Sequence, residues 1–455
     1  MIWRVALRFA LAVLLAASLG AQTETGWRVG LARVKITPDE PTLMDGYASR
    51  RTPFEGVDSD IYAKAMALED SDGRRALLIT AEILGFAAPL AERICRRLEK
   101  EAGLDRAAIL LQGSHTHAGP MVIPHLGGGI APEHREAVER YAALLEEKVV
   151  RVASDALADL APAGLSWGAG VAPFVMNRRE FTSKGVVLGA NPRGLADRTV
   201  PVLQVASPDG RPRAVVFGAA THPTTLGGQN LRLSGDYPGF AMQYFEAAHP
   251  GVQAMFLIGC AGDANPFPRG TLEIAKSHGR TLSDEVSRVL AGPLEPVRGP
   301  LRTQLRRVDL PLQQLSRPEI EKLAEGAPTY RRFFADSALR LLDDGQPLPA
   351  HYNAPFALWQ FGEDLTLVGF SGETVVDYVR LTEEALRPLK LWVAGYCNDV
   401  YGYLPTARVL AEGGYETRGL YTAAGLFEPG VEKVVMGAVK EMADAAGRPM
   451  SRRTQ

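Results

Sequence analysis

Cysteine is nearly absent: Cys95, Cys260 and Cys397 are the only three in 455 residues. Three are too few for a disulfide scaffold, even in an exported protein, and one thiol must stay unpaired in a monomer. An excess of either charge is missing too, since 50 Lys+Arg against 52 Asp+Glu leave a formal charge of -2. Nucleic-acid binding wants a basic face, so this balance argues against a nucleic-acid partner. Past the N-terminal segment there is no run of about 20 uninterrupted apolar residues, and the mature chain is expected to be soluble. Internal repeats and low-complexity linkers are also lacking. Histidine is scarce, with 8 in the whole chain, so its positions carry information.

What is present begins with a processing segment. Arg4 and Arg8 form a positive flank, residues 9–19 are apolar, and Ser18-Leu19-Gly20-Ala21 offers small residues for cleavage. A polar stretch, 22–25, follows. This reads as a secretory signal peptide over 1–21, with an uncleaved anchor helix as the alternative. No cysteine lies near the cut, which argues against a lipoprotein anchor. The protein is therefore expected to be exported, to the periplasm or outside the cell.

Strand-like and helix-like runs alternate along the rest, which argues for an α/β fold of mixed β-sheet layers flanked by helices. Residues 75–80 read as a strand, and 89–101 as a helix with Leu90, Ile94 and Leu98 on one face. Residues 132–157 read as a long amphipathic helix on Val138, Tyr141, Leu145, Val149 and Val152. Helices are also expected over 238–248, 272–290 and 428–446, and a β-hairpin over 357–361 and 365–370. A single catalytic domain over 28–446 accommodates this rhythm, followed by a disordered tail, 447–455. The charged stretch 316–348 reads as a surface insertion, and Gly127-Gly128-Gly129 as a mobile loop or lid.

The rare polar residues fall just past short apolar runs. Ser114-His115-Thr116-His117 follows 107–111, and Thr221-His222-Pro223 follows 214–220. Gly372-Glu373 follows 365–370, and Tyr401-Gly402-Tyr403 comes soon after 391–395. Such runs read as buried strands, and the carboxyl edge of an open α/β sheet is where ligands bind. Two histidines, a glutamate and tyrosines converging there make a metal site with bases around it. His115 and His117 are expected to share one metal only if the segment turns. One ligand plus one proton-transfer histidine is the simpler division. The turn 233–239 opens a helix whose N-terminus suits an anion or carboxyl group. The glycines of Gly259-Cys260-Ala261-Gly262-Asp263-Ala264-Asn265-Pro266 allow backbone N–H groups to line an oxyanion hole. An ordinary tight loop fits that stretch equally well.

These segments, in this order, resemble the catalytic N-terminal portion of the neutral/alkaline (non-lysosomal) ceramidase family. The resemblance runs over roughly 30–441 and includes the stretch 30–37, Met44-Asp45-Gly46-Tyr47 and Ser114-His115-Thr116-His117-Ala118-Gly119-Pro120. It implies one zinc ion per chain, held by His115, His222, Glu373 and Tyr403. It implies His117, Arg178 (in Asn177-Arg178), Asn265 and Tyr415 as the residues around the reaction. Tyr415 follows Tyr403 by twelve positions, the family's spacing, which favours Tyr403 over Tyr401. Two departures stand out. Asn265 replaces a serine to which the family gives a catalytic role, so a water-attack route survives and a covalent serine route does not. The family also continues into a C-terminal β-sandwich domain, which this chain is expected to lack.

The expectation is an exported zinc-dependent hydrolase of an amide C–N bond, with metal-activated water attacking an N-acyl group. Ceramide or another N-acyl lipid is the substrate the resemblance implies, and peripheral membrane contact would accompany a lipid substrate. The rivals are a hydrolase of the same fold acting on another ester or amide, and a non-catalytic metal- or lipid-binding homologue, the reading Asn265 favours.

Overall fold

The computed structural model describes residues 26–122, 130–325, 329–421 and 424–447. The segments expected as a signal peptide (1–21), as a mobile loop (Gly127-Gly128-Gly129) and, after residue 447, as a disordered tail lie outside the described residues.

Period-two alternation shapes the first sheet. In the strand Tyr62–Asp70, Ala63, Ala65 and Ala67 enter one core while Met66 and Leu68 enter another. The strand Arg75–Ala81 repeats the pattern, with Leu77, Ile79 and Ala81 on the first side and Ala76 and Leu78 on the second. A sheet apolar on both faces must be covered on both. The apolar stripes of the helices Ala88–Ala102, Pro132–Ala158, Asp236–Ala248 and Leu272–Leu290 complete the first core. A second sheet covers the other face through Ala357, Trp359, Phe361, Leu365, Leu367 and Trp392. Its own outer face, through Phe356, Leu358, Val368 and Val393, packs under the helices Asp377–Leu386 and Val431–Ala445. The layers therefore run helices, sheet, sheet, helices, in line with the expected α/β class.

The larger sheet orders its strands Gln253–Phe256, Pro212–Phe217, Thr199–Ala206, Ala161–Val171, Trp27–Lys35, Tyr62–Asp70, Arg75–Ala81 and Ile109–Gly113. Its middle is antiparallel, and each end finishes in a parallel pair. The smaller sheet orders Leu301–Pro311, His351–Phe361, Leu365–Gly369 and Leu391–Ala394, the last two also parallel. Fully buried Gln112 links a strand end from each of these three pairs. Its Nε2 donates to the carbonyls of Ile258 at 2.9 Å and Gly395 at 2.7 Å, and its Oε1 accepts the Ile258 N–H at 2.7 Å.

The stretch expected as a surface insertion is a pair of helices, Arg317–Ala324 and Thr329–Asp343, set between the antiparallel strands Leu301–Pro311 and His351–Phe361. Ile320, Phe334, Ala335, Ala338 and Leu348 bury a small core of their own with Ala424. The three cysteines are buried and free. Among the described residues, no helix is long and apolar enough to cross a membrane.

Glu82, just past Arg75–Ala81, is buried against the start of the helix Asp236–Ala248. A Cβ at Gly235 or Gly239 would lie 2.0 or 2.5 Å from its Oε1, so a side chain at either position would push the Glu82 carboxyl out of place. Its Oε2 accepts the Tyr62 N–H at 2.8 Å, and burial pushes its carboxyl up to about 7.

Two outcomes follow from these buried groups. Gln112→Leu should lower unfolding free energy by about 3 kcal/mol, roughly 1 kcal/mol per lost hydrogen bond; a urea midpoint equal to wild type would refute the clasp. Glu82 has a folded pKa above its ordinary value of 4.5, so it binds extra protons when folded and its contribution is lost as pH rises from 4.5 through 7. Relative to wild type, Glu82→Gln should therefore gain about 3 kcal/mol between pH 5 and pH 8. A constant difference across that range would show that Glu82 does not carry the proton.

Candidate metal centre

The segment after Ile109–Gly113 does turn, and the turn brings its two histidines together. His115 has a left-handed backbone, φ 65°, and its N–H donates to Ile83 O at 3.0 Å. Its Nδ1 lies 2.7 Å from Leu84 O, so the proton sits on Nδ1 and the Nε2 lone pair is free. Nε2 of His117 then lies 3.3 Å from Nε2 of His115. The turn on which a shared metal was made conditional is therefore present, because the backbone leaves the extended region at His115. Gly46 makes room on the other side: it has φ 94°, and a Cβ there would lie 2.4 Å from His117 Nδ1. That gives the Met44-Asp45-Gly46-Tyr47 motif a steric reason.

His222 follows the strand Pro212–Phe217 and is set the same way. Its Nδ1 lies 2.7 Å from Ala261 O, which leaves Nε2 free at 2.8 Å from Glu373 Oε2. The same carboxylate oxygen is 3.5 Å from His115 Nε2. Glu373 is positioned by the short parallel pairing of Glu373–Thr374 with Tyr403–Leu404, which sets Glu373 beside Tyr403. The Tyr421 hydroxyl donates to Glu373 Oε1. Ligand atoms of His115, His117 and His222 all lie within 4.8 Å of one another, the first and last of these residues fully buried. Burial, then the Arg178 charge, lowers His222 to about 4, and burial with the neighbouring histidines holds His117 well below its ordinary value. Against the burial that would raise it, His115 and His222 keep the Glu373 carboxyl well below its usual range. His117 and His222, held unprotonated at neutral pH beside the Glu373 carboxylate, belong to a donor set that suits a divalent cation such as zinc.

Arg178 forms the opposite wall. It lies on the strand Val175–Thr182, which pairs with Ala264–Pro266 so that Asn265 faces Met176. Its Nη2 donates to the Tyr403 hydroxyl at 2.8 Å, its Nη1 to Asn265 Oδ1 at 3.4 Å, and its Nε to Glu416 Oε1 at 2.9 Å. Asn265 Oδ1 also accepts from the Thr224 hydroxyl at 3.1 Å. The Tyr415 ring meets the Tyr403 ring edge-on at 5.5 Å. All eight residues expected from sequence therefore share one neighbourhood. Tyr401 is turned away, its hydroxyl donating to Ser371 O and its ring packed on Tyr352.

Of the remaining readings, the helix N-terminus is satisfied from within, and the 259–266 stretch follows its equal alternative of an ordinary tight loop. The N-terminus of Asp236–Ala248 receives its own Asp236, whose carboxylate accepts the N–H groups of Leu226 and Tyr237, so no external anion is needed there. The backbone of the 259–266 loop is committed inside the fold: the Gly259, Gly262 and Ala264 N–H groups donate to Ala219, Thr374 and Ala261. Sequence reasoning also missed Glu416, Tyr421, Tyr396 and Asp263. Glu416 follows Tyr415 directly, but no periodic pattern marks it. Burial pushes the Asp263 carboxyl up to about 7, although it accepts the Val376 N–H at 2.8 Å.

The family described as neutral/alkaline non-lysosomal ceramidase, N-terminal, matches residues 27–270. Neutral ceramidase A of Dictyostelium discoideum is 24% identical over 272 residues, 54% of this chain and 37% of its own length. The neutral ceramidase of Drosophila pseudoobscura pseudoobscura is 29% identical over 116 residues, 24% of this chain and 16% of its own. These matches thus span well under two thirds of either relative. The crystal structure of neutral ceramidase from Pseudomonas aeruginosa superposes with a TM-score of 0.72 at 21% identity, covering 93% of this chain and 74% of that one. A ceramidase solved in complex with C2 gives 0.73 at 20% identity, covering 94% and 76%. The fold is the same.

Glu416 is the single carboxylate between two buried cations, since its Oε2 also accepts from Arg179 Nη1 at 2.6 Å. Glu416→Gln should cost about 3–5 kcal/mol, because both guanidinium groups lose a charged partner inside the fold. Glu412→Gln, at a half-buried carboxylate that accepts from Arg179 Nη2 at 3.0 Å, should cost below about 1 kcal/mol. Equal denaturation midpoints for the two variants would overturn the assignment of Glu416 as the anchor of Arg178.

Proposed function

The chain belongs to the neutral/alkaline non-lysosomal ceramidase family, and from that premise we propose that it is a zinc-dependent hydrolase of an N-acyl amide bond. One observation carries the reading: the bare Nε2 atoms of His115 and His222 converge on Glu373 Oε2, with His117 and Arg178 alongside. His115, His222, Glu373 and Tyr403 would hold one zinc ion. A zinc ion so held lowers the pKa of a bound water to about 7 and polarises a carbonyl.

The residues around it divide the remaining work. His117, half-buried, is neutral and positioned to accept a proton from the attacking water or pass one to the leaving amine. Arg178 is fixed by Glu416 on one side, so its Nη atoms meet the substrate oxygen already oriented and little reorganisation is needed. Asn265 offers no nucleophile; held by Thr224 and Arg178, it acts as a hydrogen-bonding wall, which fits attack by water and not by a side chain. Tyr415 lines the same wall beside Tyr403. The favoured substrate is an N-acyl lipid, which would bring the protein to a membrane surface. Export is inferred from the Arg-flanked apolar stretch at 9–19.

The test is elemental analysis beside turnover on N-acyl amides. Wild type should carry about one zinc per chain, His222→Ala should lose it, and His117→Ala should keep it while kcat falls about 100-fold. Loss of zinc in His117→Ala would move that residue into the ligand set. A wild type that takes up no zinc would sink the hydrolase reading.

A further inference from the structure

Tyr396 sits at the centre without a role in the scheme above. Its side chain is fully buried, and its hydroxyl has no hydrogen-bond partner among the described residues. Its ring centroid lies 4.4 Å from that of His115 and 6.0 Å from that of His222. The other phenols here have partners: Tyr421 donates to Glu373, and Tyr403 accepts from Arg178. The backbone adds an independent sign. Tyr396 has φ 59°, a conformation that a bulky residue rarely adopts and that costs about 1–2 kcal/mol. Its N–H donates to Gly372 O at 3.0 Å, which ties it to the loop carrying Glu373. A buried, unpaired hydroxyl destabilises by about 1–3 kcal/mol. Two unfavourable features on one residue, packed against two of the proposed ligands, are what a group kept for the reaction looks like.

We propose that Tyr396 is a further catalytic residue, whose phenol O–H donates to the acyl carbonyl oxygen of the substrate and stabilises the negative charge that develops there. This rests on the amide-hydrolase reading. The phenol keeps its proton throughout and no bond to it is made or broken. The donor is fixed before substrate arrives, because ring and backbone are both held.

Tyr396→Phe tests this, since it keeps the ring and removes only the hydroxyl. In the metal-free full-length protein the melting temperature should be unchanged or higher, because an unpaired polar group has been removed. Zinc affinity, measured by competition with a chromophoric chelator, should stay within about threefold, because the residue is not a ligand. With a soluble short-chain N-acyl amide, kcat should fall about 100-fold at unchanged KM. A clear drop in melting temperature would show a structural partner for the hydroxyl and overturn the proposal, as would a kcat within about twofold of wild type. Should wild type hydrolyse no N-acyl amide, the hydrolase reading fails on its own. Acetohydroxamate binding to the zinc-loaded protein then decides: about tenfold weaker binding in Tyr396→Phe supports the donor, and equal binding overturns it.

Discussion

The side chain of Gln112 is the constraint on which the rest of the site depends. One amide joins the end of Ile109–Gly113 to the exits of Gln253–Phe256 and Leu391–Ala394. Those strands belong to three parallel pairs in two sheets, far apart along the chain. Their carboxyl ends would otherwise present unpaired backbone groups inside the fold, each costly to leave unsatisfied. Two isolated bridges, Gln112 with Cys397 and Gly259 with Ala394, complete the junction. The loops that carry His115, His222 and Glu373 each leave from this junction or from a strand paired to it. The carboxyl-edge rule for α/β sheets thus acts here through one residue that makes three such edges into a single edge.

A second constraint runs from the centre outward as alternating charge. Arg178 meets Glu416, Glu416 meets Arg179, Arg179 meets Glu412, Glu412 meets Arg408, and Arg408 meets Asp377. Arg178, Glu416 and Arg179 are buried, whereas Glu412 and Arg408 reach solvent, where ion pairs count for less; Asp377 at the far end is buried again. This ladder fixes Arg178 without any ligand present. It also explains why the strand Val175–Thr182 can carry polar residues inward: each has a charged or amide partner waiting. Asn177 is one example, its Nδ2 donating to Leu195 O at 2.8 Å and lying 3.2 Å from Asp263 Oδ2.

Much of this was legible in the sequence, for physical reasons. Helices with a clean apolar stripe, such as Leu272–Leu290, appear where periodicity put them. The scarce histidines marked strand ends because few other residues compete for that role. Long strands such as Ala161–Val171 and Leu301–Pro311 left little trace, since polar, small and proline residues interrupt their alternation. The helices at 317–343 were hidden by surface charge. At the centre, the approach of His117 to His115 was conditional on a turn, and nothing local announces the left-handed backbone at His115. Glu416 and Tyr421 were missed because their meaning is a partner more than forty residues away.

Backbone strain shows where the fold gives up stability. Among the described residues, the non-glycine positions with positive φ are His115, Asp236, Tyr396 and Asn398. Three of the four adjoin the Gln112 junction. Each such residue costs about 1–2 kcal/mol unless, like Asn or Asp, its side chain tolerates the left-handed region. Asn398 is of that kind: its N–H donates to Leu111 O at 2.8 Å and its Oδ1 accepts the Leu111 N–H at 3.2 Å, so the side chain replaces a missing strand partner. Tyr396 has no such tolerance, and its ring packs on that of His115 with centroids 4.4 Å apart and planes tilted by 44°. Strain of this kind persists only where surrounding bonds over-determine it. His115 is held by its backbone to Ile83 and its ring to Leu84, Tyr396 by its backbone to Gly372. The same bonds that tolerate the strain also fix the direction of the His115 Nε2 lone pair.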